Sequence, residues 1–135
     1  MKIYDVVAKA IKAQGVGHCF ALLGDGNMHF AGALAHLGVS FTYARHEHCA
    51  VSMAMAYARV TGQPGLATVT CGPGLTQVMT GLSAAVRARI PLVLFVGESP
   101  LNVHVSSLRS FAAPRGAHAQ RKGRKQWANH EWQLA

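Results

Sequence analysis

The stretch VSFTYARHEHCAVSMAMAYARVTGQPGLATVTC, residues 39–71, decides the fold. It opens on VSFTYA, 39–44, a run of β-branched and aromatic types that favours an extended chain. It closes on LATVTC, 66–71, a second run of strand character. Between them the chain reads as a helix that starts near Glu47 and stops at TGQPG. Its residues are apolar or small nearly all round, as in a deeply packed helix. Strand, helix and strand joined by short connections form the unit of a parallel sheet.

The same alternation continues outward in both directions. Upstream, HCFALL, 18–23, reads as a strand, GDGN as a turn, and MHFAGALAHLG as a helix closing at Gly38. Asn27 is placed to cap that helix. Before it, YDVVAKAIKAQG carries Val6, Val7, Ala10 and Ile11 at helical spacing, and Gly15 is a natural stop. Downstream, GPG turns the chain, LTQVMTGLSAAVRAR is a fourth helix, and PLVLFVG, 91–97, is a fourth strand. The strands are apolar on both faces, which predicts cover from helices on both sides. The expected fold class is α/β, a parallel sheet flanked by helices in three layers, α/β/α. In such sheets ligands sit beyond the carboxyl ends of the strands. Three loops fall there: GDGN, RHE and CGPG.

Composition narrows the function classes. The chain has 135 residues, half of them hydrophobic and 13% charged, which suits one packed domain. No apolar run is long enough for a membrane span. MKIYDVVAKA carries charges inside its apolar pattern, unlike a signal peptide. Cys19, Cys49 and Cys71 are odd in number and widely spaced, so they read as reduced thiols of a cytoplasmic protein. The net charge of +8 invites a nucleic-acid reading. Its distribution argues against one, because residues 1–108 carry an excess of +3 and residues 109–135 an excess of +5. The charge describes a basic tail, 109–135, whose mixed, aperiodic composition predicts disorder. Salt-sensitive, sequence-blind binding through that tail is the form a nucleic-acid function would take.

The motifs are weaker one by one. Gly24-x-Gly26 lacks the third glycine of a dinucleotide fingerprint, since His29 stands there. His46, His48 and Cys49 lack the paired spacing of a zinc site. Glu47 has two readings. One is a first-turn carboxylate that favours the helix dipole, worth roughly 0.3–1 kcal/mol. The other is a half-buried carboxylate that hydrogen-bonds a ligand. TCGPGLTQ is either a tight turn or an apolar wall against which a flat ring can lie.

Taken in order, FALLGDGN, the span from YARHEHCAVSMAMAYARVTG through CGPGLTQVMTGLSAA, and IPLVLFVGESP resemble a known domain. It is the N-terminal pyrimidine-binding domain of thiamine-diphosphate enzymes of the acetolactate synthase and pyruvate oxidase group. The likeness runs from about residue 2 to residue 100 and defines an expected domain at 1–108. It implies that Glu47 hydrogen-bonds the pyrimidine ring nitrogen of thiamine diphosphate and favours the imino tautomer. The imino group then acts as the base of the cofactor, so one carboxylate suffices. It further implies that Thr70, Pro73, Gly74 and Gln77 lie on the pyrimidine side of the pocket, with Gly24 and Asp25 in the loop that approaches from the partner subunit's site. Asp25 stands where many members carry proline. No metal ligand is expected in this chain, because the family holds magnesium in a separate diphosphate-binding domain. The implied partners are a second copy or a complementary chain carrying that domain, with a 2-keto acid as substrate of the complete enzyme. A chain ending here is expected to be a truncated product or a short subunit, inactive by itself. A non-catalytic domain that associates through apolar surfaces is the alternative.

Overall fold

The computed structural model describes residues 2–98. The expected boundary at residue 108 and the basic tail 109–135 lie outside the described residues. Helices and strands alternate as α1 (Ile3–Ala13), β1 (His18–Ala21), α2 (Met28–His36), β2 (Ser40–Tyr43), α3 (Glu47–Thr61), β3 (Gly65–Val69), α4 (Pro73–Arg87) and β4 (Leu92–Val96). None of these helices is long and apolar enough to cross a membrane.

The strands form one sheet in the order β2-β1-β3-β4, and every neighbouring pair is parallel. Side chains alternate between its faces. Cys19, Ala21 and Leu66 pack with Ala8, Phe30 and Leu34, so α1 and α2 cover one face. Phe20, Ala67 and Val69 pack with Ala50, Val51, Ala54 and Val78, so α3 and α4 cover the other. The expected three-layer arrangement is present. Phe30 stacks on Phe95 at 3.7 Å between ring centroids, tying α2 to β4.

The apolar-on-both-faces reading holds best for the centre. All five residues of β3 are buried. Edge strand β2 leaves Ser40 and Tyr43 exposed, and Thr42 hydrogen-bonds the His18 ring at 2.8 Å. Helix α3 is also less enclosed than its composition suggests. Ala50, Val51, Ala54 and Ala58 are buried, whereas Cys49 is exposed and Val60 keeps 85% of its surface. Alanine and serine are too small to reveal which side of a helix is covered. Their smallness does allow close approach: a Cβ on Gly65 would run into the Ala54 carbonyl. Helix α4 begins at Pro73, earlier than the run from Leu75, since proline suits the first turn of a helix.

Chain order places the ligand edge. From β1 the chain steps out to β2, then returns across β1 to β3. The strand order therefore reverses between β1 and β3. Crevices form at such a reversal, beyond the carboxyl ends of the strands. The segments leaving β1 and β3 there contain Gly24–Asn27 and Thr70–Gly72.

Candidate functional site

Asn27 organises the loop after β1. The expectation was a side-chain cap for α2. Asn27 does occupy the N-cap position, but its side chain makes no capping bond. It is fully buried instead. Its Oδ1 accepts from the Gly24 N–H at 2.8 Å, and its Nδ2 donates to the Leu22 carbonyl and to Thr68 Oγ1, both at 3.1 Å. One amide thus joins the turn, the end of β1 and the middle of β3. A buried amide needs several partners, and the strand ends supply more of them than the helix start does.

Three further glycines allow backbone to come close at this edge. A Cβ on Gly24 would stand 2.9 Å from both Cβ and Oγ1 of Thr70. A Cβ on Gly26 would stand 3.3 Å from Thr70 Oγ1 and 3.2 Å from the Gly97 backbone. A Cβ on Gly97 would collide with the Gly26 backbone. Thr70 therefore packs against the loop after β1 and the start of α4, while Gly26 bridges to the loop after β4 through Gly97. The Thr70 hydroxyl also lies 3.9 Å from Cys71 Sγ, to which it donates.

Glu47 reaches the same place from the start of α3. The helix is capped by His46, whose Nδ1 accepts from the His48 N–H at 3.1 Å. Glu47 follows as the first helical residue and is half-buried. A Cβ on Gly74 would lie 3.8 Å from Glu47 Oε1 and 3.3 Å from Thr70 Cγ2. The absence of that Cβ leaves a shallow cradle between the carboxylate and Thr70. Among the described residues the Glu47 side chain has no hydrogen-bonding or ion-pair partner. The dipole of α3 favours its negative charge, and its oxygens keep their capacity for an outside ligand.

Of the residues singled out from the sequence, Gly24, Glu47, Thr70 and Gly74 come together. Pro73 sits beside them as the first residue of α4 and is exposed. Gln77 and Asp25 are exposed, Gln77 one turn along α4 from Gly74 and Asp25 at the outer tip of its loop. The set is packed on one side and open on the other. Three contributors were missed: Asn27 as a network residue, and Gly26 and Gly97 as a backbone contact. The Gly-x-Gly spacing was the one available signal for Gly26, and nothing local pointed to its partner Gly97.

The arrangement can present one carboxylate to a planar, nitrogen-bearing ring lying against Cβ-free backbone. Residues 1–120 match the model of a family described as thiamine pyrophosphate enzyme, N-terminal TPP binding domain. The chain belongs to this family. Thiamine pyrophosphate is thiamine diphosphate, so the chain is a domain of a thiamine-diphosphate-dependent class of enzyme. It is 40% identical over 92 residues to the acetolactate synthase isozyme 2 large subunit of Escherichia coli K12, covering 68% of this chain and 17% of that protein. It is 36% identical over 97 residues to the chloroplastic acetolactate synthase of Arabidopsis thaliana, covering 71% and 14%. The acetolactate synthase large subunit of Buchnera aphidicola (subspecies Schizaphis graminum) matches at 37% over 95 residues, covering 70% and 17%. The chain thus spans about a sixth of the length of the relatives it matches.

Proposed function

We propose that this domain holds the aminopyrimidine end of thiamine diphosphate, with Glu47 as the group that hydrogen-bonds the ring nitrogen. The observation that carries this reading is the half-buried Glu47 carboxylate, without a protein partner among the described residues, beside the cradle at Gly74. The fit is chemical as well as spatial. A flat heteroaromatic ring needs one wall without side chains and one polar group in its plane. Gly74 with Thr70 supplies the first and Glu47 the second. Gly24, Asp25, Pro73 and Gln77 border the same ring on its open side. When bound, the cofactor supplies the carbanion chemistry. Glu47 holds or shares the proton at the ring nitrogen, and the strand ends hold Glu47 in place.

The open side of the site supports a second surface closing over it, carried by a second copy or a complementary chain. Magnesium and the diphosphate belong to that surface in this reading, since the candidate residues here carry two acids, Asp25 and Glu47, and no basic group to receive a diphosphate. The completed enzyme acts on a 2-keto acid, in keeping with the acetolactate synthases named among the relatives.

The test is binding without turnover. Titrating the chain with thiamine diphosphate and following backbone amide shifts should move Glu47, Thr70 and Gly74 together. A hydrogen bond to an ionised group contributes about 1.5–3 kcal/mol, so Glu47→Gln should weaken binding by roughly tenfold or more. Added to a complementary diphosphate-binding chain, the same variant should abolish activity. Unaltered binding by Glu47→Gln, or shifts confined to the opposite end of the sheet, would overturn the reading.

A further inference from the structure

Glu47 is the middle residue of a small closed loop. His46 precedes it in extended conformation, with φ −150° and ψ 141°. The His46 ring nitrogen Nδ1 reaches across Glu47 and accepts from the His48 N–H at 3.1 Å. The His46 carbonyl accepts from the Cys49 N–H at 3.0 Å and from the Ala50 N–H at 3.2 Å. One residue thus holds three consecutive N–H groups of the first turn, those of residues 48–50. Ala50 is fully buried and ties that turn to the core. The side chain carried by the enclosed residue is the carboxylate beside Gly74.

The chemistry of this cap is unusual. Serine, threonine, asparagine and aspartate are the common caps. The first three change no charge near neutral pH, and aspartate would set a second negative charge beside Glu47. Imidazole accepts at Nδ1 only when that nitrogen carries no proton, so the bond requires the neutral ring with its hydrogen on Nε2. The doubly protonated ring has two donors and no acceptor. His46 is exposed, so protons reach it directly. An imidazolium there would meet the positive end of the α3 dipole and the adjoining Arg45. The acid next to it in the chain is Glu47, and a carboxylate drawn to the ring is drawn away from the cradle. Few other groups bear on the ring. Of the elements packed on α3, β3 and β4 have no titratable side chain, β1 has His18 and Cys19 at its start, and α4 has only Arg87, in its last turn. The loops at the site edge add Asp25, Cys71 and Glu98, and α3 itself adds His48 and Cys49 near the cap.

We infer that His46 is a positioning residue that sets Glu47 through a proton-sensitive cap. The neutral ring holds the first turn closed with the carboxylate at the cradle, and protonation of the ring releases it. The consequence for the site rests on the cofactor reading above: the hold on thiamine diphosphate is whole at about pH 8 and weakens toward pH 5, the range in which imidazoles change charge.

The cap and its consequence are measured separately. Without cofactor, ring nitrogen-15 shifts of the full chain at pH 8 should place the His46 proton on Nε2. Amide exchange at His48, taken relative to His46→Asn at each pH, should quicken as the ring is protonated. With cofactor, His46→Ala should bind thiamine diphosphate about fivefold more weakly at pH 8, the factor that a lost cap is worth. His46→Asn supplies an amide oxygen that accepts at any pH and should recover that loss. Between pH 8 and 5.5 the affinity of the original chain should fall about fivefold further than that of His46→Asn. Protonation of the cofactor and of Glu47 is common to both chains and cancels in the comparison. A proton on Nδ1 at pH 8, a His46→Ala chain that binds as tightly as the original, or parallel pH profiles for the original chain and His46→Asn would overturn the inference. Unchanged binding by Glu47→Gln would sink the cofactor reading instead, and the ring shifts with the His48 exchange would still decide whether the cap opens on protonation.

Discussion

The two ends of the sheet use glycine for different reasons. At the end where the strands begin, Gly15, Gly38 and Gly62 adopt φ of +85°, +74° and +69°. A Cβ on Gly38 or Gly62 would meet nothing within 4 Å. These glycines end helices, where only the backbone conformation matters. At the end where the strands finish, Gly24, Gly26, Gly74 and Gly97 have no such positive φ, yet an added Cβ would press on Thr70 or on facing backbone. Here glycine is needed for room. Gly72, with φ +62° and open space around it, is the one member of the first kind at the second end. The lesson is that the candidate site is a place of close backbone approach, whereas the far end is a row of helix stops.

The sharpest way to break this contrast is Gly97→Ala. Its new methyl meets the Gly26 backbone, which has no flexible tip to move aside. Overpacking of this kind costs typically 1–3 kcal/mol, and the loss here should be about 3 kcal/mol in urea unfolding. A loss no larger than that of a helix-stop glycine would erase the distinction.

Next in size is Asn27→Ala. It strands the Gly24 N–H, the Leu22 carbonyl and Thr68 Oγ1, and each buried group left unpaired costs about 1–3 kcal/mol before relaxation. A net loss of about 2 kcal/mol is expected. Hydrogen exchange should be fastest at Gly24 and spare the far end.

The far end should respond more mildly and in both directions. Gly62→Ala forces a side chain into the left-handed region and should cost about 1 kcal/mol. Arg89, at φ +50°, is the one described non-glycine residue with a positive φ. Arg89→Gly should therefore gain up to about 0.5 kcal/mol, measured by the same unfolding curves.

Up to pH 9 the smallest effect belongs to the layer between the two ends. Burial pushes the Cys19 thiol up from 9.0 to about 12. As pH rises past 9 the unfolded chain loses its thiol proton first, so unfolding is favoured. Stability from this group is whole below pH 9 and drains away between 9 and about 12. At pH 9 the loss is about 0.4 kcal/mol by linkage, and Cys19→Ala should flatten that part of the profile. Thiol labelling adds a control. Cys49 is exposed and should react in the folded state, whereas Cys19 should react only on global opening. A Gly97→Ala chain that labels at Cys19 without denaturant has lost more than its site edge.

Much of this was legible in residue order. The alternation of strand and helix runs came through nearly to the residue, because propensity and periodicity act within a few positions of chain. β1 and β3 ended sooner than their apolar runs, since Leu22 and Thr70 already turn into the loops. Glu47 at the mouth of a helix was visible for the same local reason, as were the stops at Gly15, Gly38 and Gly62. The ordered motifs also carried the family.

Other features needed the folded chain. Asn27 meets Thr68 across 41 positions. Gly26 meets Gly97 only because β1, β3 and β4 are neighbours in the sheet. Which side of α3 and α4 is covered could not be read from alanine, serine and threonine. Local sequence governs the backbone states of a short segment, so it determined the elements and their likeness to a family. Close approach between segments depends on which strands pair and how near their helices lie, so only the tertiary structure decided which glycines make room, what Asn27 holds, and which sides of α3 and α4 are covered.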